Sequence, residues 1–254
     1  MTRRNRGHGR NPQDHKGAEG SNWIWGVHAV RAALANRRRR CRKLLIVGAD
    51  SDFRALAAAA KVPVETVDAG AMSRALPRDA VHQGVALLAD HLEEMDVHDA
   101  IETAPAPRRL VLLDQVTDPH NLGAILRSAA AFGACGVIVQ ERNSPPITGV
   151  LTKAASGALE IVPLIRVVNI ARTLDELGEL GFLRLAFADE AAEPIEKADL
   201  KRDVVLVLGA EGEGIRRLTR EKCDLAIRLP TRPEMPSLNV SNAAAIALYA
   251  CAIV

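Results

Sequence analysis

From residue 110 onward, short apolar runs alternate with segments of helical period, and no other feature limits the fold as strongly. LVLLD (110–114), GVIVQ (136–140), IVPLIRV (161–167), FLRLAFA (182–188) and DVVLVLG (203–209) are almost uninterrupted Val, Ile and Leu, and IRLP (227–230) is shorter. Helical stretches separate them: one from Asn121 ended by Gly133, then LTKAASGALE, NIARTLDELGELG, one from Gly214 and one from Ser237 or Asn239. Strands that lack a polar face are covered on both sides, so the pattern predicts a mostly parallel sheet with helices on each face.

A smaller α/β unit precedes it. Residues 1–20 hold little to bury and are expected to be a disordered basic tail. Order is expected from Trp23-Ile24-Trp25-Gly26, followed by a helix over VHAVRAALAN, a strand over KLLIV and a helix over SDFRALAAAAK capped by Ser51. VPVETV reads as a strand, residues 71–76 as a short helix and HQGVALLAD as a strand. Residues 93–108 end in APAP, an extended connector. The boundaries are therefore a tail over 1–20, a first domain over 21–92, a linker over 93–108 and a second domain over 109–254.

Charge separates the two ends. Residues 1–43 carry twelve Lys and Arg against two Asp and Glu, while the whole chain is only +2, so the remainder is acidic. Six cations fall between Arg37 and Lys43, at the end of a predicted helix whose dipole favours them. A basic end on an acidic body points to a polyanion, most directly nucleic acid. Aromatic residues make up only 3%, which argues against base stacking as the main device. Cys41, Cys135, Cys223 and Cys251 lie far apart, with no C-x-x-C pair and no H-x-x-x-H pair among seven histidines. Free thiols, no metal and a reducing cytoplasmic location are expected. No apolar stretch or leader suggests a membrane partner.

In parallel sheets, ligands gather beyond the carboxyl ends of strands, and three loops fall there. DQVTDPHNLG follows LVLLD. Leu122, Ile125, Leu126, Ala129 and Phe132 form one stripe of its helix, Arg127 lies off that stripe with His120 and Gly123 nearer to it, and Asn121 can cap. The second, LGAEGEGI, spaces Gly209, Gly212 and Gly214 as G-x-x-G-x-G. That is neither a dinucleotide fingerprint nor a phosphate loop, and Glu211 and Glu213 would repel a pyrophosphate. An adenosine bearing a sulfonium suits it better. The third, LPTRPEMPSLNVSNAAA, stiffens a loop with three prolines before Ser237, Asn239 and Ser241.

NLGAILRSA, LGAEGEGI and LP…SLNVSNAAA, in this order, resemble the three signature motifs of the SpoU (TrmH) family of RNA ribose 2′-O-methyltransferases. WGVHAV and HQGV resemble the small, ribosomal-protein-like substrate-binding domain of the subgroup acting on a guanosine of 23S ribosomal RNA. The resemblance implies a trefoil-knotted catalytic domain, S-adenosylmethionine (AdoMet) as cofactor, RNA as substrate and a homodimer. It assigns the cofactor to Gly209, Leu229 and Leu238, and catalysis to Asn121, Arg127, Glu211, Ser237 and Asn239. Where related sequences commonly read Ile-Pro-Met followed by a glycine, the chain has Leu229-Pro230-Thr231 and then Arg232-Pro233.

Methyl transfer from a sulfonium is an in-line displacement, so the protein must chiefly position a ribose oxygen and help remove its proton. The resemblance implies that Arg127 is either the proton acceptor or the ribose-phosphate anchor. A guanidinium has a pKa above ~12, so the first expectation is that Arg127 anchors a phosphate and stabilises the developing alkoxide, with the phosphate or a transiently neutral Arg127 as the base. Three other readings remain: a transfer-RNA methyltransferase, a non-catalytic RNA-binding relative and a nicotinamide oxidoreductase. The glycine order argues against the last.

Overall fold

In the computed structural model, residues 23–78, 80–147 and 149–253 are described. The tail expected over 1–20 lies outside them. The first sheet contains β1 (Trp23–Trp25), β2 (Cys41–Val47), β3 (Val64–Val67) and β4 (Val85–Ala89) in the order β1-β4-β2-β3, with only β2 and β3 parallel. Alternation sorts its side chains. Leu44 and Ile46 face Val30, Ala33 and Phe53 of helices α1 (Val27–Ala35) and α2 (Ser51–Ala59). Leu45 turns the other way, against Met72 of α3 (Ala69–Ala75).

A six-residue helix, α4 (Val97–Glu102), lies inside the stretch expected as a linker. Asp96 caps it by accepting from Asp99 N at 2.8 Å, and Val97, Ala100 and Ile101 bury into the second domain. The second sheet is wholly parallel. Its strands are β5 (Arg109–Asp114), β6 (Gly136–Gln140), β7 (Leu164–Val167), β8 (Leu183–Phe187), β9 (Glu193–Pro194), β10 (Val204–Gly209) and β11 (Leu225–Arg228). They run in the order β7-β6-β5-β10-β8-β11-β9. Helices α5 (Pro119–Ala131), α6 (Gly149–Ala155) and α9 (Val240–Ala252) belong to one face, through Leu122, Ile125, Leu126, Leu151, Ala244 and Leu248. On the other face α4 and α7 (Ile170–Glu179) bury Ile101, Leu174 and Leu177. Each fully buried Leu or Ile contributes roughly 1.5–3 kcal/mol.

Several local expectations need correction. Asp50, not Ser51, caps α2, accepting from Phe53 N at 3.1 Å. Asp118 caps α5, so Asn121 sits inside the first turn with its side chain free for another task. The helix expected from Gly214 starts only at α8 (Arg217–Glu221), because Gly214 has φ +68°. The helix expected over LTKAASGALE stops at Ala155, and a single 3₁₀ turn, Ala158–Glu160, follows Gly157.

Gly157 explains that break. Its φ is +89°, and a Cβ there would lie 3.0 Å from Ala32 Cβ and 3.1 Å from the His28 carbonyl of α1. The first domain thus rests directly on the turn after α6. Glu160 bridges the two domains: it accepts from Asn36 Nδ2 at 2.9 Å and from Arg39 Nε at 3.1 Å, and Arg39 Nη2 bonds its second oxygen. The side chains are 11% and 5% exposed for Arg39 and Glu160. Of the cation run expected to meet RNA, Arg39 is taken up by this bridge, while Arg37, Arg38, Arg40 and Arg42 stay exposed. Arg42 grips Asp90, and Lys43 reaches Glu65 at 2.9 Å. It straddles a turn and β2 rather than ending a helix.

Candidate functional site

Beyond β5 the chain runs to β6 and β7 on one side of the sheet, and later strands fill the other side. The reversal falls between neighbouring strands β5 and β10, where Asp114 and Gly209 sit in register at the carboxyl ends. A crevice opens at such a point in an open parallel sheet.

A cavity of about 410 Å³ lies on the β10 side, bounded by the loops after β8, β10 and β11. Gly209, Glu211, Leu229, Ser237 and Leu238 all line it. Gly209 is required by close approach, since a Cβ there would fall 2.0 Å from the Gly214 carbonyl carbon. The loop folds onto itself through Gly214 N donating to the Ala210 carbonyl at 2.9 Å. Asp189, Glu190 and Glu213 face Arg220 and Arg228 around the walls. A hydrogen bond from its own backbone N–H, then one from Arg220, holds the Glu190 carboxyl below the usual range. A cavity of this size accepts a nucleoside-sized ligand. Its glycine cradle and mixed charge fit a cofactor that is both cationic and zwitterionic, and the four carboxylates Asp189, Glu190, Glu211 and Glu213 outnumber Arg220 and Arg228, which disfavours a polyphosphate.

At the lip of the cavity three expected residues meet. Asn121 Nδ2 donates to Glu211 Oε1 at 3.0 Å, and Asn239 Nδ2 donates to the same oxygen at 2.5 Å and to Asn121 Oδ1 at 3.0 Å. Asn239 also caps α9, its Oδ1 accepting from Ser241 N at 2.9 Å and Ser241 Oγ at 2.6 Å. Charge on Glu211 thus orients two amides at once.

Arg127 stands apart. It is exposed on α5, does not line the cavity, and makes no hydrogen bond or ion pair among the described residues. Gly123 belongs to the core rather than beside Arg127: a Cβ there would lie 2.4 Å from Ala154 Cβ of α6. Two residues escaped the sequence reading. Asp114 is fully buried at the end of β5 and is paired with Arg216, whose Nη2 lies 2.7 Å from Oδ1. A polar residue closing an apolar run was the only available signal.

The chain matches the SpoU rRNA Methylase family over residues 108–249 and the RNA 2′-O ribose methyltransferase substrate binding family over residues 23–95. It belongs to the SpoU rRNA methylase family. Within it, the chain is 40% identical over 234 residues to the 23S rRNA (guanosine-2′-O-)-methyltransferase RlmB of Pseudomonas putida, covering 89% of this chain and 94% of that one. Its identity to the RlmB of Vibrio vulnificus is 41%, with the same coverage. In fold it is similar to the SpoU methyltransferase AviRb from Streptomyces viridochromogenes, with a TM-score of 0.78 at 22% identity over 92% of this chain and 89% of that one. An AdoMet-bound rRNA methyltransferase from Sinorhizobium meliloti gives 0.74 at 23% identity, over 91% and 86%.

Proposed function

We propose that this protein transfers the methyl group of AdoMet to the ribose 2′-hydroxyl of a guanosine in 23S ribosomal RNA. The hydrogen-bonded group Asn121–Glu211–Asn239 at the lip of a nucleoside-sized cavity carries this reading. Kinship with the RlmB enzymes supplies the substrate. Residues 21–92 bind the RNA, 93–96 connect, and α4 packs with 109–254 in the trefoil-knotted domain that carries out transfer. The knot is supported by the return of α9 to α5 after the loop that carries Leu229 and Leu238. No helix among the described residues is long and apolar enough to cross a membrane, and the proposed site of action is the cytoplasm. The molecule works as a homodimer, since α9 leaves Ile246, Tyr249 and Ile253 at 42%, 52% and 64% exposure.

When bound, the cofactor supplies an activated methyl group on a sulfonium. Gly209, Leu229 and Leu238 hold it with backbone groups, and Ser237 donates to the ligand from the third loop. Glu211 fixes the two amides, and Asn121 and Asn239 then orient the ribose. Arg127, an exposed fork without a partner among the described residues, grips the neighbouring phosphate and stabilises charge growing on the 2′-oxygen. Proton loss from that hydroxyl falls to a phosphate oxygen or water, because a guanidinium stays protonated.

The test is labelled methyl transfer to 23S ribosomal RNA lacking the modification, followed by mapping of the modified ribose. A substrate carrying 2′-deoxyribose at the target is expected to bind and accept nothing. Methylation of that substrate would refute ribose transfer.

A further inference from the structure

We propose that Asp114 and Arg216 form a clamp that positions the Glu211 loop for methyl transfer; this rests on the role given to Glu211 above. Asp114 is the last residue of β5 and is fully buried. A carboxylate so placed needs a counter-charge and donors for its oxygens. Arg216 supplies all of them. Its backbone N donates to Oδ2 at 3.0 Å and its Nε to Oδ1 at 2.8 Å, while Nη2 donates to Gln140 Oε1 at the end of β6 at 3.1 Å. One arginine is thus tied to the carboxyl ends of two adjacent strands.

The consequence lies upstream. Gly209 is held within the sheet by β5, and Arg216 is held by Asp114 through its guanidinium as well as its backbone N, so residues 210–215 span two fixed points, the second of which Arg216→Ala weakens. Gly212 and Gly214 give that span two positive-φ hinges, at +82° and +68°, and glycine hinges are free to move unless their ends are pinned. Glu211 lies between the pins, and its carboxylate must meet Asn121 and Asn239 together. Arg216 does not line the cavity, so it acts through the loop as a positioning residue. Its planar fork matters as well as its charge, since Nε and Nη2 both reach Oδ1 while Nη2 also reaches Gln140.

The experiment uses the full-length protein with 23S ribosomal RNA and AdoMet, and measures kcat, KM for RNA and thermal unfolding. Arg216→Ala is expected to lower kcat roughly 100-fold, as small misplacements in catalytic geometry do, with KM for RNA within about twofold. It also strands a buried charge and lowers Tm. Asp114→Asn combined with Arg216→Ala removes that charge, so Tm should recover while kcat does not. Recovery of both would make the pair merely structural and overturn the proposal. Arg216→Lys keeps charge without the fork, and should lose roughly tenfold in kcat at near-normal Tm; full activity there would also overturn it. Glu211→Gln run alongside separates the two layers. If it retains full turnover, the reading of Glu211 falls and the clamp's purpose with it. If Glu211→Gln fails while Arg216→Ala works normally, the clamp alone is wrong.

Discussion

Truncating Glu160 should loosen the two domains from one another. Its carboxylate accepts from Asn36 Nδ2 and from two nitrogens of Arg39. After Glu160→Ala, the Arg39 side chain keeps, among the described residues, only the bond from Nη1 to the Asp90 carbonyl at 2.6 Å, and Asn36 Nδ2 loses its acceptor. Removing one partner of a buried ion pair costs about 3–5 kcal/mol. Because parting of the domains lets water reach Arg39, the low end applies here. A change of about 3 kcal/mol raises the undocked fraction roughly 100-fold, at a factor of ten for each 1.4 kcal/mol. Calorimetry is expected to give one transition for the wild type and two for Glu160→Ala, and cleavage by a protease within residues 93–96 should accelerate. Arg39→Met with Glu160→Leu replaces both charges by apolar groups of similar reach and should restore docking. An unchanged single transition for Glu160→Ala, with unchanged cleavage, would refute the bridge as the element that holds the domains together.

Arg127→Ala should cut turnover ~100-fold or more with little change in AdoMet affinity, and Arg127→Lys should rescue poorly; near-normal single-turnover rates for Arg127→Ala would return the residue to the solvent surface. Gly209→Ala forces a Cβ against the Gly214 carbonyl carbon, so calorimetric titration should find AdoMet binding at least tenfold weaker, and tight binding would contradict the cradle. Burial raises the thiols of Cys135 to about 11 and Cys223 to about 12, and those of Cys41 and Cys251 upward. Thiolate being the reactive form, all four should resist a thiol reagent at pH 8 until the protein unfolds. Desolvation is the larger influence on each of them. Sedimentation at micromolar concentration should give a dimer, and Tyr249→Glu on the exposed side of α9 should shift it toward monomer.

The central strands β5, β6 and β10 were legible because both their faces are buried, which leaves an unbroken apolar run in the sequence, whereas β9, two residues at the sheet edge, was not read and β11 starts two residues before the expected IRLP. β10 shows this best, with Val204 to Leu208 all buried. Features set by distant packing were not legible. The stop after Ala155 follows from the approach of α1, which no local rule encodes, and α4 is too short for periodicity to reveal. Caps were misplaced by a residue or more where several polar residues adjoin, as with Asp50 and Ser51. At the site, the residue types Asn121, Glu211 and Asn239 stood out, but their shared oxygen did not, since they come from the first turn of α5, the loop after β10 and the cap of α9. Arg39 was hidden for the opposite reason. In a run of six cations nothing local distinguishes the one that faces a buried glutamate 121 residues away.

The shared Glu211 oxygen also has a meaning for the order of synthesis. Asn121 and Glu211 leave the ribosome first, but the second amide arrives only with residue 239, and the cavity wall is completed by Val240 and Ala243. A nascent chain that has exposed every strand of both sheets still holds an unfinished pocket and an incompletely oriented carboxylate. Cofactor capture during translation should therefore appear abruptly, once residues 237–243 have cleared the exit tunnel, instead of growing with chain length. Arrested chains that stop short of that segment would be folded over much of their length and silent toward AdoMet.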